Sequence, residues 1–200
     1  MKFGLNAFGL SPRHLPDVAL LAEQHGFDSV WVPEHLVFPV EIPHAYLYSA
    51  DGYPPMRSDS PAYDPWILLA TVAARTTTIR LGTNIYILPL RHPINVARSV
   101  VTLDRVSGGR VNFGVGVGWL REEFEAVGED FTTRGKRADE MIPLLRRFWS
   151  EDVIEHHGEF YDILPVTFEP KPLQKPSIPI YIGGTSPAAL RRVGRFGDGW

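Results

Sequence analysis

Glycines and acidic side chains are concentrated between Val111 and Glu123, with a spacing that suits ligand binding. Three glycines alternate from Gly114 to Gly118 at the end of a predicted buried strand, and Glu122 and Glu123 follow where a helix begins. Glycines let backbone amides approach a ligand closely, and a helix N-terminus favours negative charge. Alternating glycines also permit tight strand packing, so this pattern indicates a site only together with other evidence.

Two earlier segments also end on polar residues. A strand predicted over Ser29–Pro33 is followed by Glu34 and His35, and a strand predicted over Ile79–Ile85 carries Asn84 near its end. In a βα-barrel the carboxyl ends of the strands meet on one face, and that face holds the active site. Three such strand ends in order therefore predict a barrel with a cofactor on this face.

Strands and helices alternate five times, which predicts a parallel sheet. Helices begin at Ser11-Pro12, Asp64-Pro65 and Pro93, because proline is favoured at the first helical position. A doubly wound nucleotide-binding sheet would carry G-x-G-x-x-G after its first strand, whereas here G-x-G-x-G follows the fourth. The barrel is therefore the preferred architecture.

Several segments interrupt this alternation. Residues 36–63 form a long loop rich in tyrosine, of the kind that serves as a lid or a binding segment, with the tyrosines expected to pack rather than to contact substrate. Residues 151–177 are predicted to contain a hairpin near His156. Pro143 predicts a kink or a new start near Asp139 in the preceding helix. Arg134, Lys136 and Arg137 are expected on a solvated face.

Composition excludes several classes of function. The net charge of −3 offers no electrostatic basis for binding nucleic acid or an acidic membrane. The absence of cysteine excludes disulfides and thiolate metal sites. The first eight residues lack the features of a signal peptide, and nothing approaches the roughly 18 apolar residues of a membrane span. We therefore expect a cytoplasmic protein.

Length sets a further expectation. A βα-barrel needs eight strands and typically about 250 residues. Five strands are predicted here, and an open five-stranded parallel sheet would leave an apolar edge uncovered. We therefore expect residues 1–200 to be one barrel domain that forms the N-terminal part of a longer protein, with the C-terminal strands missing.

The chain closely resembles the luciferase-like monooxygenase superfamily, particularly its deazaflavin (coenzyme F420) dependent oxidoreductases. The resemblance runs from Lys2 to Trp200. Its most specific motifs are Trp31–His35, Leu81–Asn84, Thr102–Arg110, Gly114–Trp119 with Glu122-Glu123-Phe124, and Ile182–Thr185. It implies a (β/α)8 TIM barrel of the bacterial-luciferase type, present here to about its fifth strand.

The resemblance also implies site residues. Glu34 and His35 would lie near the reactive ring of the cofactor, with His35 as the proton donor or acceptor. A non-prolyl cis peptide would fall near Asn84-Ile85 and support the central ring. The cofactor phosphate would be bound by three residues at the tip of the fifth strand, Gly183, Gly184 and Thr185.

One position departs from the resemblance. Some deazaflavin-dependent sugar-phosphate dehydrogenases of this family carry a catalytic glutamate after the glycines of the fourth strand, where this chain has Trp119. Their acid and their substrate therefore cannot simply be transferred to this chain. Glu122 and Tyr86 are the alternatives for a second proton-transfer group.

The expected function is hydride transfer between F420 and a small organic substrate whose identity the sequence does not give. An FMN-dependent monooxygenase and a non-catalytic flavin-binding protein are the alternatives. A third alternative is a metal-dependent barrel hydrolase using Glu34, His35 and His92, which would contain zinc or manganese and no yellow cofactor. The family frequently dimerises, so the expected partners are a substrate and a second copy of the chain.

Overall fold

The computed structural model describes residues 1–200, and strands alternate with helices through most of it. The elements in chain order are β1 (Gly4–Asn6), α1 (Leu15–Gln24), β2 (Ser29–Val32), α2 (Pro65–Arg75), β3 (Arg80–Thr83), β4 (Tyr86–Ile87), α3 (Pro93–Val106), β5 (Val111–Gly116), α4 (Arg121–Ala126), α5 (Arg134–Ser150), β6 (Val153–His157), β7 (Asp162–Thr167), β8 (Ile180–Ile182) and α6 (Pro187–Phe196). Short 3-10 helices cover Leu88–Leu90 and Phe131–Thr133.

The main sheet is parallel, and its strands follow the order of the chain. β1 pairs with β2, β2 with β3, β3 with β5, and β5 with β8, while β4 continues alongside β5 after β3 ends. A doubly wound sheet would reverse its strand order at one point. The strand order contains no such reversal, so the predicted βα-barrel architecture is confirmed.

α2 begins where the sequence predicts, with a side chain capping its N-terminus, and α6 is capped in the same way. Asp64 accepts hydrogen bonds from the backbone N–H groups of Trp66 and Ile67, and Ser186 accepts one from Ala189. Side-chain acceptors at this position satisfy N–H groups that have no partner within the helix. Each cap therefore fixes where the chain turns from a loop into a helix.

Glycines in β3 and β5 make room for bulky neighbours. A Cβ atom on Gly82 would lie 2.2 Å from the ring of Trp31, and one on Gly114 would lie 1.9 Å from the carbonyl oxygen of Thr83. Neither position can accept a side chain without displacing its neighbour. Packing, rather than the approach of a ligand, therefore accounts for the glycine at position 114.

Three elements differ from expectation. α1 begins at Leu15 and not at Ser11-Pro12, because residues 12–14 form a turn before it, and no side chain caps this helix. β3 ends at Thr83 instead of continuing to Ile85, since the chain turns there before β4. The predicted restart of a helix near Asp139 is wrong, because α5 runs unbroken through Pro143. Asp139 instead accepts a 2.6 Å hydrogen bond from Nε of Arg192, which ties α5 to α6.

The predicted hairpin near His156 is confirmed. β6 and β7 pair antiparallel, and His156 lies 2.9 Å from a carboxylate oxygen of Glu140 on α5.

None of the helices is both long enough and apolar enough to cross a membrane.

Glu23 connects α1 to the start of β3 and should contribute stability that depends on pH. Burial acts to raise the pKa of Glu23, but hydrogen bonds from the N–H groups of Ile79, Thr78 and Thr77 outweigh it and lower the pKa to about 2. A carboxylate with a lowered pKa stabilises the fold above its unfolded pKa, and this stabilisation is lost as the pH falls.

We expect Glu23→Gln to lower the free energy of unfolding at pH 7 by about 1–3 kcal/mol, because the amide can satisfy fewer of these donors. The difference from the wild type should shrink as the pH falls from 4.5 towards 2. Urea titrations at pH 7 and pH 3 measure it, with the exposed Glu125 changed to Gln as the control. A difference that is the same at both pH values contradicts the prediction.

Candidate functional site

A cavity of about 1320 Å³ opens at the carboxyl ends of the parallel strands. The loops after β1, β2, β3, β5 and β8 contribute to its wall, together with part of the long loop 36–63. All the residues proposed from the sequence as site residues line it, namely Glu34, His35, Asn84, Ile85, Gly183, Gly184 and Thr185. Residues separated by up to 151 positions in the sequence thus share one cavity, which is how a barrel assembles a site.

His35 is held by a glutamate from a distant helix. Its Nδ1 lies 3.1 Å from Oε2 of Glu123, while Oε1 of that carboxylate accepts a hydrogen bond from the backbone N–H of Leu36. The Glu123 side chain is fully buried, and that of His35 is 12% exposed. Phe38 and Trp119 pack against the imidazole ring. The ring is therefore fixed on one side, and Nε2 forms no hydrogen bond within the chain.

Glu34, which precedes His35 in the chain, is buried. One carboxylate oxygen forms an ion pair with Arg91, and the other accepts a 2.6 Å hydrogen bond from the backbone N–H of Ile87. Burial raises the pKa of Glu34 to about 7, although the neighbouring Arg91 acts in the opposite direction. The carboxyl group therefore holds β4 against the end of β2. Whether Glu34 is protonated or ionised affects the strength of this contact.

The peptide bond between Asn84 and Ile85 is cis, as the sequence resemblance predicted. The Ile85 side chain fills space left by two glycines on neighbouring strand ends. A Cβ atom on Gly116 would lie 2.6 Å from it, and one on Gly183 would lie 2.7 Å from it. These two glycines therefore position Ile85 at the floor of the cavity.

The loop from Gly184 to Ser186 offers free backbone donors to the cavity. Gly184 has a φ of 111°, which an L-residue rarely adopts, and a Cβ there would lie 3.0 Å from Ala189. The N–H groups of Gly184, Thr185 and Ser186 form no hydrogen bonds within the chain. They lie at the N-terminus of α6, where the helix favours an anion. This loop suits a phosphate group.

Aromatic side chains from the long loop form part of the wall. Tyr46 packs edge-on against Trp119 with ring centroids 5.2 Å apart, and Tyr48 packs against Tyr46 at 5.4 Å. Both tyrosines line the cavity. Tyr46 and Tyr48 therefore pack as expected and also face the cavity, as Tyr63 does, whereas Tyr53 packs against His44 away from it.

The two alternatives for a second proton-transfer group do not line the cavity. Tyr86 is buried in the core, and that burial raises its pKa further above the ordinary value, so it holds its proton. Glu122 forms no hydrogen bond with His35, and the adjacent Glu123 makes that contact instead. His92 accepts a hydrogen bond from the N–H of Ile94 and packs against Tyr161 outside the cavity.

Arg134 is a cavity residue that the sequence interpretation missed. Its guanidinium group lies 3.7 Å from the centroid of the Phe131 ring and donates hydrogen bonds to the carbonyl oxygens of Gly118 and Phe131. Burial lowers the pKa of Arg134, and the nearby Arg121 acts in the same direction. The expectation of a solvated face is therefore wrong for Arg134, which places a positive charge at the cavity wall.

Comparison with known protein families identifies the family of this chain. The model of the luciferase-like monooxygenase family matches residues 3–200. The chain belongs to this family. A (β/α)8 barrel that carries its site at the carboxyl ends of the strands agrees with the cavity described above.

Three relatives of this luciferase-like chain illustrate its range. A Mycobacterium tuberculosis protein of uncharacterised function is 38% identical over 183 residues, covering 92% of this chain and 62% of that protein. The F420-dependent glucose-6-phosphate dehydrogenase of Amycolatopsis mediterranei is 31% identical, covering 100% of this chain and 55% of that enzyme. The crystal structure of monooxygenase RslO1 from Streptomyces bottropensis is 31% identical with a TM-score of 0.79, covering 98% of this chain and 57% of that one. The chain thus spans little more than half the length of these relatives.

Proposed function

We propose that the protein is an F420-dependent oxidoreductase that transfers a hydride to or from a small organic substrate. The observation that carries this proposal is the convergence of His35, the Ile85 side chain and the free amides of 184–186 on one cavity. Relatives named as F420-dependent glucose-6-phosphate dehydrogenases, 31–33% identical to this chain, support the choice of cofactor.

The residues present fit a deazaflavin or a flavin. Bound F420 would supply the hydride chemistry, and the protein would supply position and protons. The amides of Gly184 and Thr185 would hold the phosphate, and Ile85 would support the ring system. His35 would hold or release a proton at Nε2, the ring nitrogen without a partner in the chain. In this proposal Glu34 positions the strand ends around His35.

We expect Gly184→Asp to weaken F420 binding at least about tenfold, because it adds a negative charge and a Cβ atom where the phosphate would lie. Fluorescence titration with F420, and in parallel with FMN, measures the dissociation constants. Gly128→Asp is the matched control, since Gly128 also has a positive φ but lies in open space outside the cavity. Equal effects of the two substitutions would argue against a phosphate site at Gly184.

An FMN-dependent monooxygenase is the second candidate, and the likeness to the monooxygenase RslO1 favours it. The two cofactors share a ring system and a phosphate, so the same cavity suits either one. Tighter binding of FMN than of F420, with substrate oxidation that requires oxygen, would replace the F420 proposal. Binding of either cofactor without turnover in a broad substrate screen would instead favour a non-catalytic flavin-binding protein.

A further inference from the structure

We propose that Glu123 is the positioning residue of His35 and sets which ring nitrogen carries the proton. The proposal rests on the proposed function, because it concerns the proton that His35 would exchange with substrate or cofactor. Glu123 contacts Nδ1 of His35 from a helix 88 residues further along the chain. The Glu123 side chain is fully buried and does not line the cavity, so it acts through the groups that it contacts, the ring of His35 and the N–H of Leu36.

The local sequence fixes where Glu123 points. Gly118 turns the chain with a φ of 78°, and a Cβ there would lie 2.9 Å from the ring of Phe124. Phe124 is fully buried against Ile87, Leu90 and Phe131. Because Phe124 holds the inner face of α4, the preceding residue Glu123 is directed towards the end of β2.

The two oxygens of Glu123 have different partners, and this assigns the proton. Oε1 accepts from the N–H of Leu36, and Oε2 faces Nδ1 of His35 at 3.1 Å. A carboxylate can only accept hydrogen bonds, so Nδ1 must be the protonated nitrogen of the neutral ring. Nε2 is then left with its lone pair towards the cavity, which is the tautomer a proton acceptor needs.

Glu123→Gln reverses this arrangement with little change of shape. The N–H of Leu36 still needs an acceptor, so the amide oxygen of the glutamine takes the Oε1 position. The amide NH₂ group then faces Nδ1 of His35, which must become the acceptor. The proton moves to Nε2, and the lone pair no longer points into the cavity.

The test is the tautomer of His35, measured by long-range ¹H–¹⁵N correlation spectra at a pH where the ring is neutral. No cofactor is needed, and the spectrum of His35→Asn assigns the signal. We expect protonated Nδ1 in the wild type and in Glu122→Gln, a neighbouring glutamate that does not contact His35, and protonated Nε2 in Glu123→Gln. Protonated Nε2 in the wild type, or an unchanged tautomer in Glu123→Gln, overturns the proposal. Should Glu123→Gln fail to fold, the wild-type spectrum still decides.

Kinetics give the second measurement. Glu123→Gln should lower kcat/KM with F420 by about 10²-fold or more, while the dissociation constant of F420 stays within about threefold. Glu122→Gln should match the wild type. Absence of any F420-dependent turnover in the wild type would refute the proposed function but leave the tautomer result standing, so the two failures are distinguishable.

Discussion

His35→Asn is expected to lower kcat with F420 by about 10²–10⁴-fold, the usual contribution of a positioned proton-transfer group. The amide nitrogen of asparagine occupies nearly the place of Nδ1 in histidine. It can therefore keep the hydrogen bond to Glu123 while Nε2 is removed. The fold and the buried carboxylate should be little affected, so the loss of activity would report on Nε2 itself.

Steady-state kinetics, F420 titration and thermal unfolding on the same samples separate the possible causes. Kd for F420 should change by less than about fivefold, because the phosphate loop at Gly184 is untouched. His92→Asn is the matched control, since His92 lies outside the cavity and caps α3 through its ring nitrogen, a role that asparagine also fills. Turnover of His35→Asn within tenfold of the wild type would exclude His35 as the proton-transfer group.

Much of the fold could be predicted because its signals are local. Asp64-Pro65 and Pro93 place the starts of α2 and α3, and these capping rules depend only on neighbouring residues. Pro143 shows the limit of such rules. The proline stays inside α5 because that helix buries seven residues along its length, and this packing is a tertiary effect.

The site residues at the strand ends could be predicted from the sequence, but the contacts between side chains from different strand ends could not. His35 and Gly184 stand directly after strands, so the barrel geometry brings them to one face. The contact between Glu123 and His35 depends on the rotation of α4 about its axis. No local pattern distinguishes Glu122 from Glu123, because Phe124 determines that rotation by packing against residues from three other segments.

Arg134 shows that the surroundings of a charged side chain are equally hard to predict from the local sequence. Beside Lys136 and Arg137 it resembles one residue of a solvated basic face. Its position over the ring of Phe131 depends on the turn that the 3-10 helix makes before α5. Lys136 does pair with Glu159 at the surface, so the interpretation holds for Lys136. It fails for Arg134 and for Arg137, which is largely buried beside Glu129.

The ion pair between Glu34 and Arg91 supports the second large prediction. Arg91→Met should lower the free energy of unfolding by about 3–5 kcal/mol at pH 8, because it leaves a buried carboxylate without its partner. Arg91 also lies 4.5 Å from the centroid of the Tyr86 ring, so methionine is chosen to retain part of that packing. Urea denaturation followed by tryptophan fluorescence measures the loss.

The loss of stability in Arg91→Met should increase as the pH rises. Burial raises the folded-state pKa of Glu34 to about 7 from 4.5, so the folded protein binds this proton more tightly than the unfolded chain does. The stability due to the protonated group is complete below pH 4.5 and is lost as the pH rises through 7. Arg91→Met removes the charge that opposes this shift, so the variant should be least stable at alkaline pH and recover towards pH 5.

A double-mutant cycle isolates the interaction energy between Glu34 and Arg91. In Glu34→Gln/Arg91→Met neither position carries a charge, and the amide still accepts from the N–H of Ile87, so the double variant should be more stable at pH 8 than Arg91→Met alone. Its stability should also vary less between pH 5 and pH 8. If Arg91→Met lost equal stability at both pH values, the loss would arise from packing around Tyr86 and not from the charge of Glu34.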